Sequence, residues 1–292
     1  MRSEESLATV LLVGRLASGG LLPLKASEFW ALRDQVGEVR TLLGRSERIL
    51  IEEHGLSPPL ARRVAGLLGR ATAVAFEVER LDQSGISTLT PSDDAYPRRL
   101  VDRLGAKAPP VLHAAGAIDL LQVPGIGVVG EVGSAAAAAA VDGLAARRRL
   151  PLVSGGLRTS DGAGSSVVWV LAEPLVRTLR RPEVRRAVYR GATVICTPYG
   201  PDTPFTPANA RGRDKLVFAL AEVTLVVACD REQGHAWSDG AEAIAEGYGR
   251  VAVWRGDGEG PGNEALEARG ATRVESIEAV DALLDGRERG GQ

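Results

Sequence analysis

The stretch that decides the fold runs from Gly125 to Gly156, GIGVVGEVGSAAAAAAVDGLAARRRLPLVSGG. It is an apolar run, a glycine-containing turn, an alanine-rich helical segment and a second apolar run. The pieces IGVVG (126–130) and LPLVSGG (150–156) lack the alternation of a strand with one wet face, so both read as strands buried on both sides. A helix joining two such strands is a βαβ unit, and its strands lie parallel. Outward from this unit the pattern recurs in VVWVL (167–171), ATVIC (192–196), VTLVVA (223–228) and RVAVW (250–254), with helical material between them. Six buried runs predict an α/β fold, a Rossmann-like and mostly parallel sheet with helices on both faces. Right-handed crossovers then bring the carboxyl ends of the strands to one edge, where ligands usually bind.

The flanks differ in pattern. Residues 1–85 show no β-rich run. Leu42, Leu43, Ile49, Leu50 and Ile51 are interspersed with charged residues. SPPLARRVAGLLGRATAVAFEVERL (57–81) begins with an N-cap serine and first-turn prolines, and its apolar positions keep a helical period. A small helical domain is expected there. Residues 86–125 read as a connector with the turn-rich SDDAYP and the pair Pro109–Pro110, while ISTLT and VLHAAG each fit an edge strand. The sheet domain is expected over 126–285, ending in the helix VESIEAVDALLDG, and residues 286–292 as a tail.

Composition bounds the function less than the pattern does. The formal net charge of −2 neither requires nor excludes nucleic acid, because a local basic stripe can sit on a weakly acidic protein. Cys196 and Cys229 lie in or beside apolar runs outside any Cys-x-x-Cys motif and read as buried reduced thiols. His54, His113 and His235 have no metal-ligand spacing, so no metal or cofactor is expected. The N-terminus lacks a basic n-region, and no stretch supplies the roughly 20 uninterrupted apolar residues of a membrane span. A cytoplasmic protein is expected.

Four turns qualify as anion sites. In GVVGEVGS, Gly130 and Gly133 stand at a strand-to-helix turn where backbone N–H groups and a helix N-terminus face outward. Gly125, Gly127 and Gly130 spell G-x-G-x-x-G, but before and within the strand, so no dinucleotide fingerprint is read from them. The loop VSGGLRTSDGAGSS (153–166) offers Ser154, Gly155, Gly156, Arg158 and Asp161. In GRDKLVFALAEVTLVVA, Arg213 and Lys215 precede an amphipathic helix; basic residues at a helix start oppose its dipole, and an anion would account for them. In DREQGHAWSDG, Gly234 opens a further turn, and His235 with Trp237 could stack on a base. Besides these, RTLRRPEVRRAVYR (177–190) sets six arginines against Glu183. Its Arg181, Arg185 and Arg186 form a basic stripe suited to a phosphate backbone, or equally a solvated face. No nucleophile elbow or Walker loop occurs, which favours binding over catalysis.

Several of these pieces, in this order, resemble the DNA-processing protein A (DprA/Smf) family. The segment Asp93 or Asp94, Tyr96, Pro97, Leu100, followed by Pro109, Pro110, Leu112 and Gly116, is similar to the family's lead-in. GIGVVGEVGS stands where the family has Val-Gly-Ser-Arg, LVSGGLRTSDGAG where it has Ser-Gly-x-Ala-x-Gly-Ile-Asp, and Arg213-Asp214-Lys215 where it has Arg-Asn-Arg. Gly262, Asn263, Leu266, Gly270 and Ala271 match its late Gly-x-Asn-x-Leu…Gly-Ala. The resemblance covers about residues 80–275. It implies a Rossmann-like fold that binds single-stranded DNA, helps to load the recombinase RecA and tends to dimerise. The implied pocket is lined by Ser154, Gly155, Arg158, Asp161, Arg213 and Lys215. Glu131, Asp214 and Ala228 depart from the family pattern, so a nucleotide-binding sensor of a stress or phage-defence system is the alternative expectation. An enzyme such as a nucleotide N-glycosidase, with Asp161, Asp214 or Asp239 as its acid, ranks last.

Overall fold

The computed structural model describes residues 2–16, 20–130, 135–156, 165–231 and 234–286. The chain forms two compact units, Met1–Ala115 with Thr197–Thr203, and Gly116–Cys196 with Pro204–Gln292. The division at Ala115 falls inside the segment that the sequence reads as a connector. Both of that segment's apolar pieces are strands.

The first unit holds α1 (Glu4–Val13), α2 (Ala26–Val36), α3 (Glu47–Glu52), α4 (Pro58–Leu68), α5 (Ala71–Gln83), α6 (Arg99–Leu104) and the strands β1 (Ser87–Leu89) and β2 (Leu112–Gly116). The strands pair antiparallel, Thr88 opposite His113. The helical run that starts at Ser57 is two helices, broken at Gly69 and Arg70, where the Arg70 guanidinium turns to the Leu11 carbonyl at 3.0 Å. The lead-in motif is scaffold. Asp93 Oδ2 accepts from Thr90 N at 2.7 Å, Thr90 Oγ1 at 2.8 Å and Ser6 Oγ at 3.0 Å, and the buried Tyr96 hydroxyl donates to Pro109 O at 2.7 Å. His113 lies 3.1 Å from Thr88 Oγ1, and burial pushes its pKa down to about 3, which keeps it neutral.

The second unit carries β3 (Gly125–Val129), α7 (Ala135–Arg148), β4 (Leu152–Ser154), β5 (Val167–Val170), α8 (Leu175–Leu179), α9 (Pro182–Tyr189), β6 (Thr193–Thr197), α10 (Pro207–Leu220), β7 (Ala221–Val226), α11 (His235–Glu246), β8 (Arg250–Trp254), α12 (Asn263–Glu267), β9 (Thr272–Val274) and α13 (Ile277–Leu284). Its strands lie in the order β6-β5-β4-β3-β7-β8-β9 and pair in parallel throughout. All six expected runs are strands. The seventh, β9, is three residues with two exposed, and carries no apolar signature.

Alternation within β7 explains why helices cover both faces. Val223 and Leu225 pack with Ala137, Val141 and Leu144 of α7 and Val280 and Leu283 of α13. Val226 faces the other way, toward Gly240 of α11, which in turn touches Leu266 of α12. Burial of these aliphatic side chains, about 1.5–3 kcal/mol each, is the main driving force for this unit. Cys196 and Cys229 are buried free thiols, as expected, and burial raises the pKa of both.

Candidate functional site

The strand order fixes where a site can form. The chain leaves β3 toward β4 on one side and leaves β7 toward β8 on the other, so β3 and β7 flank a topological switch. Such a switch opens a crevice at the carboxyl edge. The N-termini of α10 and α11 lie on that same edge, each contributing partial positive charge.

Two glycines make the edge what it is. Gly130, at φ +124°, ends β3, and a Cβ there would stand 2.4 Å from the Ala228 carbonyl oxygen. Its absence lets the end of β3 lie against the end of β7, where Val227 N donates to Val129 O at 3.0 Å. Gly155 ends β4, and its missing side chain is replaced by the Arg213 guanidinium, whose carbon would be 2.4 Å from a Cβ. Gly156 beside it faces open space, and Ser154 Oγ donates to Gly156 O at 2.7 Å, which fixes the turn. Gly133, Arg158 and Asp161 lie outside the described residues.

Arg213 comes from α10. Thr206 caps that helix by accepting from Asn209 N at 3.0 Å, and Pro207 occupies its first position. From there Arg213 Nη1 donates to Gly155 O and, at 3.0 Å, to Val170 O, so one guanidinium ties together the carboxyl ends of β4 and β5. Its Nε lies 2.7 Å from Asp214 Oδ1, and the side chain is 12 % exposed. Lys215 is directed to α11, where its Nζ meets Glu242 Oε1 at 2.8 Å, and Tyr248 donates to the same oxygen at 2.9 Å.

Asp214 and Asp239 of α11 influence each other's ionisation. Two neighbouring buried carboxyl groups resist carrying charge together, so the second to ionise keeps its proton to higher pH. Burial is the first cause of the raised pKa of both, and the neighbouring Asp214 charge adds to it at Asp239, which is pushed up to about 7. Asp239 is 4 % exposed, and its Oδ2 has no hydrogen-bond partner. His235, exposed at the start of α11, and Arg213 both pull the Asp214 pKa back down. The acid in place of asparagine at 214 is visible in the sequence. Its partner is visible only as a lone aspartate on the apolar face of a helix.

One expectation is corrected. Asn263, matched by resemblance to a binding position, is fully buried and spent on the scaffold. Its Oδ1 accepts from Cys229 N at 3.0 Å, and its Nδ2 donates to Val227 O at 2.9 Å and Trp254 O at 2.7 Å, clamping the ends of β7 and β8. The Arg269 guanidinium covers one face of Trp237 at 4.6 Å. Gly234, at φ +79°, starts α11 with open space where a side chain would go. The stripe residues Arg181, Arg185 and Arg186 are exposed on α9 and its approach, away from the glycine turns in sequence.

The arrangement suits an oxyanion. Helix N-termini, open glycine turns and a fixed guanidinium converge on the carboxyl edge, beside a carboxyl pair that can lose its proton. In comparisons with known proteins, the model of the DNA recombination-mediator protein A family matches residues 87–284, well over half of the chain. DNA processing protein A (DprA) from Streptococcus pneumoniae is similar in structure, with a TM-score of 0.56 at 20 % identity, over 90 % of this chain and 98 % of that one. DNA processing protein A from Helicobacter pylori, described with its single-stranded DNA binding mode, gives 0.52 at 20 % identity over 70 % and 97 % of the two chains. At that identity the likeness speaks for the fold. None of the curated proteins compared matches the chain.

Proposed function

The chain belongs to the DNA recombination-mediator protein A family, and from that premise we propose that it binds single-stranded DNA at the carboxyl edge of β3, β4, β5 and β7. The observation that carries this is Arg213, locked on the carbonyls of Gly155 and Val170 beside an open glycine turn. A guanidinium whose side-chain entropy is already spent loses little more on meeting a phosphate. Gly156 and Gly234 leave backbone approachable, and the N-termini of α10 and α11 add favourable potential. Fluorescence anisotropy with a labelled oligo-dT over a salt series tests the reading. Binding that weakens linearly in log salt is expected, and no binding at about 20 mM salt would overturn it.

A second reading rests on the Asp214–Asp239 pair. A buried carboxyl group can hydrogen-bond a base amine or a ribose hydroxyl, which suits a small nucleotide better than a phosphate chain. Native mass spectrometry of freshly purified protein separates the two, since a co-purifying nucleotide would favour the second. A nucleotide at 100 times its Kd would also stabilise the fold by about 2.7 kcal/mol.

On the first reading the protein is a cytoplasmic mediator, not an enzyme. It acts as a homodimer that passes single strands to a RecA-type recombinase. Among the described residues no helix is long and apolar enough to cross a membrane. Light scattering of the purified chain tests the dimer. Strand exchange by RecA, with and without the protein, tests the hand-over, and unchanged nucleotide after long incubation is the expected result for a non-enzyme.

A further inference from the structure

The carboxyl edge leaves one surface of the second unit unexplained. Between β5 and β6 the chain makes two short helices, α8 and α9, which with their flanks contain Arg177, Arg180, Arg181, Arg185, Arg186 and Arg190. All six are exposed. Among the described residues, the one ion pair they make joins Arg181 to Glu173 at a loose 4.0 Å. Other arginines of this unit are closely matched by acids. Arg148 meets Asp281 at 2.5 Å and Asp285 at 2.9 Å, and Arg255 meets Glu259 at 2.7 Å and Glu267 at 2.5 Å.

Tyr189 lies among these unmatched charges and is 93 % exposed, the most exposed large apolar side chain among the described residues. Core packing does not account for it, because α9 buries Val184 on its opposite side. Helical spacing puts Tyr189 four residues from Arg185 and three from Arg186, on one face, with Arg190 adjoining. Like charges at Arg181/Arg185 and Arg186/Arg190 cost the isolated helix a few tenths of a kcal/mol each. Among the described residues only the loose Arg181–Glu173 pair offsets that cost.

An unpaired basic face with an aromatic ring standing free in its middle has the composition of a single-strand track. The ring stacks on a base, and the flanking guanidinium groups take the phosphates on either side. We propose that α8 and α9 form a second single-stranded-DNA contact in which Tyr189 is the stacking platform and Arg185, Arg186 and Arg190 hold the backbone. This rests on the single-strand reading above and extends it beyond the glycine turns. α8 starts just past the carboxyl end of β5 and α9 ends just before the amino end of β6. A strand on this face therefore runs down the side of the sheet, away from the edge, and only a longer oligonucleotide reaches it.

The test uses the full chain, with Tyr189→Ala, Tyr189→Trp and the double variant Arg185→Ala/Arg186→Ala, all at exposed positions. Anisotropy is measured on labelled dT6 and dT30 and on a 30-base-pair duplex across a salt series, with far-UV circular dichroism melts as the folding check. On dT30, Tyr189→Ala is expected to weaken binding about 5- to 100-fold at an unchanged salt slope, the range of one lost base stack. Tyr189→Trp restores it. The double variant lowers the slope by about 1.4, two single-strand phosphate contacts. On dT6 all variants match the parent protein. Parent-like binding of dT30 by all three overturns the track while leaving the edge site standing. A Tyr189→Ala loss equal on duplex and single strand overturns the stacking role. Failure of the parent protein to bind dT6 and dT30 overturns this proposal together with the function it rests on.

Discussion

Replacing Asp239 by asparagine should flatten the pH dependence of stability. In the fold, Asp239 is buried against Asp214 and titrates near 7. In the unfolded chain an aspartate titrates near its ordinary 3.8. The folded state therefore holds a proton that the unfolded state has already lost. The stabilisation this gives is complete below about pH 4 and disappears as pH rises through 7. Each decade of pH between those values is worth about 1.4 kcal/mol. Between pH 5 and pH 8 the pair should thus cost the parent protein at most about 3 kcal/mol. In the Asp239→Asn variant the neighbouring charge is absent at every pH, and Asp214 then ionises beside Arg213, 2.7 Å away. Urea unfolding of parent and Asp239→Asn between pH 5 and 8, followed by circular dichroism, measures the difference, in which all other titrations cancel. The parent should lose stability relative to the variant as pH rises. A difference that stays constant across this range would refute the raised pKa of Asp239.

The same pair bears on binding, because loss of its proton adds a second negative charge next to Asp214, the partner of Arg213. Affinity for oligo-dT should fall between pH 6 and 8 in the parent protein and stay level in Asp239→Asn, as read by anisotropy at fixed salt. Gly155→Ala should displace the Arg213 guanidinium, since its carbon would sit 2.4 Å from the new Cβ. Loss of the Gly155 and Val170 hydrogen bonds then lowers stability by about 2–3 kcal/mol together with oligo-dT affinity, whereas Gly156→Ala, facing open space, should keep stability within about 0.5 kcal/mol. Asn263→Ala leaves Cys229 N, Val227 O and Trp254 O without their partner and should cost about 3–6 kcal/mol in urea unfolding. A loss below about 1 kcal/mol would show that the clamp is dispensable. Gly130→Ala drives a methyl group into the Ala228 carbonyl at a positive φ and should lower the melting temperature, as followed by calorimetry.

Much of the sheet was legible before any coordinates, because its strands are buried on both faces and burial leaves an uninterrupted aliphatic record. Each of the runs from IGVVG to RVAVW became a strand. β9 left no such record, for it is short and largely exposed, and its place is set by pairing with β8. The pieces ISTLT and VLHAAG fitted edge strands and are β1 and β2, but their antiparallel pairing within the first unit is a tertiary fact. The glycine turns were legible as turns. What they are for was not, since a glycine gives the same signal whether it admits a ligand, as Gly156 can, or a neighbouring guanidinium, as Gly155 does.

The sequence by itself determined the class of fold, the edge on which a site must lie, and the family, because periodicity and motif order are properties of neighbours along the chain. Only the tertiary structure decided which polar groups remain available. Asn263 looks like a binding residue in one dimension and is consumed by the scaffold in three. Asp214 and Asp239 stand 25 positions apart and become one titrating unit only when α10 and α11 pack together. Tyr189 reads as one more residue of an amphipathic helix until its exposure is known. Hydrogen bonds and burial join residues that the chain keeps far apart, and the availability of each side chain is settled only once they have formed.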